Sequence, residues 1–285
     1  MDCLSVVIPT YENDDPGDLA KALKSVLDQT VPPDEVVVVG DGPLTAELKT
    51  TVARFEEKHP KRVKLFQLPE NRGKGKARQE GVKRTTNDIV AMMDADDICR
   101  RDRFELQLEY LNTNLETDVV GSYFTEFDPD SEERYAVREV PERHEEIASV
   151  ARYRSPINQA TVMFRKEPVM EVGNYEDVRR LEDYRLWVRL LVNGATFGNI
   201  PESLVHVRAG ENMHERRGGM AYARSEIGMQ YDFYRWGFIP LWLAVFNAAT
   251  RVVVRTLPNR LRGAVYEHLL RANPEEHAQD RTNES

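Results

Sequence analysis

The chain has 285 residues, a net charge of −9 and 41% hydrophobic residues, enough apolar content for a folded core, which excludes wholesale disorder. Two cysteines, Cys3 and Cys99, exclude a disulfide scaffold and a cysteine-rich zinc site, and the net acidity argues against nucleic acid as a partner. The first residues run straight into an apolar stretch with no basic start and no cleavable apolar region, which reads as a chain that folds in the cytoplasm.

Residues 4–8, Leu-Ser-Val-Val-Ile, read as a buried first strand stopped by Pro9. A helix follows over 18–29, with Leu19, Leu23, Val26 and Leu27 on one face, until Pro32-Pro33 breaks the pattern. Residues 35–39 form a second buried strand ending in Gly40-Asp41-Gly42, then 45–58 a helix and 63–67 a short third strand. A helix over 75–84 leads to a fourth strand, 89–93, which ends in Asp94-Ala95-Asp96-Asp97. The alternation predicts an α/β fold, a mostly parallel sheet flanked by helices, with ligands beyond the carboxyl ends of the strands. Those ends carry Thr10-Tyr11-Glu12, Asp41, Asn71-Arg72-Gly73 and the acidic cluster, so four strand ends deliver polar groups to one rim. Further on come a helix over 101–115, strands over 119–127 and 160–164, an amphipathic helix over 181–192 and a last strand over 204–207. Past Gly210 the alternation stops. The organisation expected is a catalytic domain over 1–210, a basic, aromatic helical extension over 211–272 and a polar, disordered tail over 273–285.

Three segments carry chemistry. Asp94, Asp96 and Asp97 repel one another unless a cation sits among them, which suits a hard divalent ion with oxygen ligands, Mg²⁺ or Mn²⁺. An acidic turn capping the next helix would look the same. Asn71-Arg72-Gly73-Lys74-Gly75-Lys76-Ala77-Arg78 sets two glycines and four bases before a helix, either an anion cradle or a solvated basic turn. It is neither a Walker loop nor a Rossmann fingerprint. Glu182-Asp183 opens a helix, either as a general base or as charges complementing the helix dipole.

Together these segments resemble glycosyltransferase family 2, with its inverting GT-A fold. The resemblance begins at Ser5-Val6-Val7-Ile8-Pro9-Thr10-Tyr11-Glu12-Asn13 and continues through Val36 to Asp41 and Asn71-Arg72-Gly73 with Ala77-Arg78-Gln79 and Gly81. Ile89 to Asp97 is similar to the family's DxD strand, and Arg103-Phe104-Glu105-Leu106-Gln107 to the helix after it. Leu181-Glu182-Asp183-Tyr184-Arg185-Leu186-Trp187-Val188-Arg189-Leu190 is similar to the family's acceptor-side segment. The resemblance implies that Pro9, Thr10, Tyr11, Glu12 and Asp41 hold the base and ribose of a nucleotide sugar. It places Arg72, Gly73 and Arg78 near nucleotide or phosphate, Asp94 and Ala95 near ribose or sugar, and the divalent cation on Asp96. Asp183 would be the catalytic base, with Glu182 and Trp187 on the acceptor side. His214, or else His206, would be a further metal ligand. Gly40-Asp41-Gly42 has one aspartate where members often have two, which leaves the nucleotide open among UDP, GDP and dTDP. The Q-x-x-R-W motif of processive members is absent, so one sugar is expected per encounter, passed to a saccharide or polyprenyl-linked acceptor. Two other readings remain: a catalytically inactive relative that binds nucleotide or a partner, and a sugar nucleotidyltransferase. The latter would want a basic glycine-rich loop after the first strand, where this chain has an acidic turn.

The C-terminal part differs in charge. Residues 216–262 hold eight arginines against Glu226 and Asp232. Residues 236–250 are uncharged and rich in Trp, Leu, Val and Phe, but a bilayer span needs about 20 apolar residues, so this stretch is too short to cross. It is expected either to lie on the inner face of the cell membrane, through 236–255, or to dock on protein. Residues 213–220, with Gly218-Gly219, read as a loop folding over the site or as an ordinary basic turn.

Overall fold

A computed structural model of the chain describes residues 3–127, 134–208 and 220–256. The elements in order are β1 (Leu4–Thr10), α1 (Pro16–Leu27), β2 (Glu35–Gly40), α2 (Ala46–Lys58), β3 (Val63–Gln67), α3 (Lys74–Arg84), β4 (Ile89–Met92), β5 (Ile98–Cys99) and α4 (Arg103–Thr113). Then come β6 (Thr117–Phe127), β7 (Arg134–Arg138), α5 (His144–Val150), β8 (Met163–Arg165), α6 (Lys166–Glu171), α7 (Glu182–Val192), β9 (Thr196–Arg208), α8 (Met220–Arg235) and α9 (Leu241–Thr256). The strands form one sheet in the order β3-β2-β1-β4-β8-β6-β9-β5, with β7 beside β6. β3, β2, β1 and β4 are parallel neighbours, β8 runs antiparallel between β4 and β6, and β9 is parallel to β6. The expected α/β fold, a mixed and mostly parallel sheet flanked by helices with a helical C-terminal extension, is the one observed.

The apolar runs of β1 and β2 follow from burial on both faces. Val6, Ile8, Val36 and Val38 face a core shared with Leu19, Leu23 and Leu48 of α1 and α2. Val7, Val37 and Val39 face the opposite core with Ala77 and Val82 of α3 and with Leu186, Trp187 and Leu190 of α7. α3 lies so close to the sheet that a Cβ on Gly81 would sit 2.3 Å from Val7 Cγ1.

Several boundaries depart from expectation. α1 starts at Pro16 because Asp15 Oδ1 accepts from the Gly17 and Asp18 amides at 2.8 and 3.0 Å, a side-chain cap. Pro9 lies inside β1 rather than ending it. Val7 is the last β1 residue paired with β4, so the amide that Pro9 lacks has no ladder partner to lose. Residues 159–161 form a 3₁₀ turn before the short β8. The last strand is 13 residues long, with an irregular register around Ser203 as it follows β6.

α7 joins the sheet to the helical extension. Tyr184 and Val188, on its other side, pack with Met229 and Phe233 of α8 and with Ile239, Leu243 and Ala244 around α9. The expected boundary at 210 and residues 213–219 lie outside the described residues, as do 257–272 and the tail over 273–285.

Candidate active site

The site begins where β1 and β2 end. The Asp41 amide donates to the Thr10 carbonyl at 2.7 Å, locking the two strand ends together. The Asp41 carboxylate then accepts from the Arg72 and Gly73 amides, one oxygen each, both at 2.8 Å. Gly73, at a φ of 96° that glycine favours, turns the chain into α3. Lys74 opens that helix, and no side chain caps its first amides. Beside it the Tyr11 amide donates to Asp14 Oδ2 at 3.0 Å. Burial pushes the Asp14 carboxyl up to about 6. Apart from Arg72, these groups line a first cleft of about 460 Å³, which also takes in Pro9, Ala95, Asp96, Arg179 and Arg180.

The acidic turn after β4 is the second component. Lys74 Nζ lies 3.6 Å from Asp94 Oδ2, and Arg78 Nη2 donates to Asp94 Oδ1 at 2.9 Å. Burial alone would raise the Asp94 carboxyl, but these two cations outweigh it and hold it below the usual carboxylate range. Asp96 is raised by burial and by the Asp94 charge. Asp97 is raised further, by burial and then by its two acidic neighbours. β9 braces the turn from outside: the Arg208 amide donates to Asp97 Oδ1 at 3.0 Å, and its guanidinium reaches the Asp96 carbonyl and Asp18. One carboxylate oxygen from each of Asp94, Asp96 and Asp97 lies within 4.8 Å of the others. An all-oxygen donor set with crowded, burial-strained carboxylates fits a hard divalent cation. Asp94 is already engaged by two bases and Asp97 by an amide, so Asp96, facing the first cleft, is the carboxylate best placed for one.

A second cleft of about 270 Å³ lies against the same turn. Asp94 and Asp97 line it, where Ala95 and Asp96 line the first. Asp183, half-buried at the start of α7, also lines it, together with Glu126, Arg154, Asn158 and Gln159. Asp183 Oδ1 accepts from the Tyr184 amide at 2.8 Å. The residue before the helix, Leu181, has a left-handed backbone at φ 61°. This sharp turn sends Arg179 and Arg180 to the first cleft and Asp183 to the second.

The structure therefore gathers Pro9, Thr10, Tyr11, Asp41, Gly73, Ala95 and Asp96 around one cleft, and Asp94 with Asp183 around its neighbour. Several residues fall elsewhere than the sequence pattern implied. Trp187 is wholly buried, edge-on to Tyr175 and Phe197 at 6.3 Å, so it belongs to the core and not to an acceptor surface. Glu182 is also buried; it accepts from Arg78 Nη1 at 2.5 Å and so positions Arg78 rather than facing an acceptor. Arg78, bridging Glu182 and Asp94, is 4% exposed and lines neither cleft. Arg72 pairs with Asp177, and Glu12 is exposed; neither lines the first cleft. His206 sits in β9 opposite Ile98, and His214 lies outside the described residues. Asp14, Arg179, Arg180 and Arg208 escaped the sequence reading. The arginine pair stands directly before Leu181-Glu182-Asp183, which was the available signal.

Comparison with known proteins identifies the family and the fold. The family model for glycosyl transferase family 2 matches residues 5–173. The chain is 36% identical over 267 residues to an Escherichia coli UDP-Gal:alpha-D-GlcNAc-diphosphoundecaprenol beta-1,3-galactosyltransferase, covering 94% of this chain and 96% of that protein. It is 34% identical to the amylovoran biosynthesis glycosyltransferase AmsE of Erwinia amylovora, over 92% of this chain and 97% of that one. Among solved structures it resembles the Pyrobaculum calidifontis mannosyltransferase PcManGT in complex with GDP-Man and Mn²⁺, with a TM-score of 0.63 and 19% identity over 94% of this chain and 80% of that chain. The TM-score is also 0.63, with 19% identity, to S. aureus TarS 1–349 in complex with UDP-GlcNAc, over 81% of this chain. The chain spans 66% of that fragment and 40% of a longer TarS structure.

Proposed function

The chain belongs to glycosyl transferase family 2 and is a glycosyltransferase, and from that premise we propose that it moves one hexose from a UDP-sugar, with inversion, to a hydroxyl of a saccharide carried on a polyprenyl diphosphate. The observation that carries this reading is the partition made by one acidic turn: Ala95 and Asp96 face the first cleft, Asp94 and Asp97 the second. A nucleotide sugar in the first cleft and an acceptor in the second would meet across that turn. Asp183 is the catalytic base. It takes the acceptor hydroxyl's proton as that oxygen attacks the anomeric carbon, while the nucleoside diphosphate departs on the opposite side. Attack and departure on opposite faces invert the anomeric configuration without a covalent sugar–enzyme species. Lys74, Arg179 and Arg180 meet the departing diphosphate's charge. A divalent cation held at Asp96, Mn²⁺ or Mg²⁺, supplies Lewis-acid charge there when bound. The donor and acceptor classes are taken from the E. coli relative, which is similar over nearly its whole length.

The test is calorimetric titration of UDP, GDP and dTDP into the protein with and without Mn²⁺, for the wild type and Asp96→Asn. UDP binding that requires Mn²⁺ and disappears in the variant is the expected result. Preference for GDP or dTDP would overturn the donor assignment. Metal-independent binding, equal in both proteins, would overturn the role of Asp96.

A further inference from the structure

Resting on the lipid-linked acceptor proposed above, we infer that the outer face of α9, with the turn at residues 152–154 beside it, docks on an anionic phospholipid surface and sets the second cleft against the membrane. α9 has two faces of different character. Leu243, Ala244 and Asn247 are buried against α7 and α8. On the other face Leu241, Trp242, Val245 and Phe246 are 54%, 68%, 60% and 56% exposed. Single exposed apolar side chains are ordinary, but four within six residues on one face are not.

The charges around this face identify its occupant. α9 contains no acidic residue. The acids of α8 are engaged: Glu226 is buried and paired with Arg251, and Asp232 is held by Arg185. The exposed charges of α8 and the neighbouring turn are Arg224, Arg235, Arg152 and Arg154, none of them paired with a described carboxylate. An apolar helix face carrying tryptophan, with exposed arginines on the adjoining turn and on α8, matches the headgroup region of an anionic bilayer. A symmetric contact with a second copy would instead bring like cations together. No helix among the described residues is long and apolar enough to cross a membrane, so the contact is peripheral.

The face is also continuous with the second cleft. Asn247 Nδ2 donates to the Arg152 carbonyl at 2.8 Å and Arg251 donates to the Tyr153 carbonyl, tying α9 to the turn. Tyr153 is itself half-exposed, and Arg154, the next residue, lines the cleft with Asp183. A saccharide on a polyprenyl diphosphate stays close to the headgroups, and a base reached from that edge of the protein could meet it there.

Cosedimentation of the full chain with vesicles of phosphatidylcholine, with and without phosphatidylglycerol, tests this, comparing wild type with the Trp242→Glu/Phe246→Glu double variant. Both side chains are exposed, so the fold should survive; a Trp242→Ser/Phe246→Ser pair serves should the charged pair misfold. We expect the wild type to bind the anionic vesicles and the variant to bind at least about tenfold more weakly, with transfer to a detergent-solubilised acceptor unchanged. Equal binding by both proteins, or no binding by the wild type, overturns the docking face. So does a wild-type dimer in sedimentation velocity that the variant dissociates, since that gives the face to a second copy. Vesicle binding by a protein that transfers to no lipid-linked acceptor overturns the acceptor assignment alone and keeps the docking face.

Discussion

At the scale of single residues, the two carboxylates that open α7 divide their work by environment. Glu182 is buried against Arg78, while Asp183, one residue on, is half-buried and lines the second cleft. Sequence spacing placed both at the start of a helix, but it could not say which one faces inward, because that depends on how α7 meets α3. Asp183→Asn keeps the shape and removes the base. Transfer should fall by about 10²- to 10⁴-fold, with UDP affinity in the presence of Mn²⁺ nearly unchanged, as read by single-turnover kinetics and calorimetry. Equal loss of binding and transfer would make Asp183 a structural residue. Asp41 carries the same lesson. The motif implied contact with the nucleotide, and Asp41 does line the first cleft; the structure adds that each of its oxygens also accepts an amide of the Arg72–Gly73 backbone. A local pattern marks where a polar residue sits; its partner comes from a loop about thirty residues away.

At the scale of elements, β1, β2 and β4 were legible as near-continuous apolar runs, and the helices between them by an apolar face. The small elements β5, β7, α5 and α6 were not, since they are short and none holds a continuous run of four apolar residues. β9 read short because Pro201 and Glu202 interrupt its apolar pattern, while β6 beside it supplies the pairing. Gly81 shows how packing fixes an element's position. α3 can carry Lys74 to the first cleft only if it lies directly on Val7 and Val39. Gly81→Ala places a methyl into that contact, outweighing any gain in helix propensity, and should cost about 1–3 kcal/mol in a denaturant titration. An unchanged midpoint would show that α3 can lift from the sheet without penalty.

At the scale of the whole molecule, the helical extension is part of the fold as well as a candidate surface. The composition of 236–250 left docking and membrane contact as alternatives, and the structure assigns docking to one face of α9 while leaving the other open. Deleting residues 236–285 strips Ile239, Leu243 and Ala244 from Tyr184, Val188 and Phe233. The truncated protein should lose about 3–6 kcal/mol of stability and melt at a lower temperature in a calorimetric scan. A truncation that melts like the full chain would mean that the inner face of α9 adds nothing. The α/β class, the family and the rim of strand ends on which the site is built can be read from the residues alone, because period, strand-end chemistry and motif order are local properties of a chain. Which acid pairs with Arg78, the place of Trp187 in the core, and the single acidic turn between two clefts emerge from the folded chain. Those outcomes depend on contacts between residues as far apart in sequence as Arg78 and Glu182, whose geometry is set when α3 and α7 pack on the same face of the sheet.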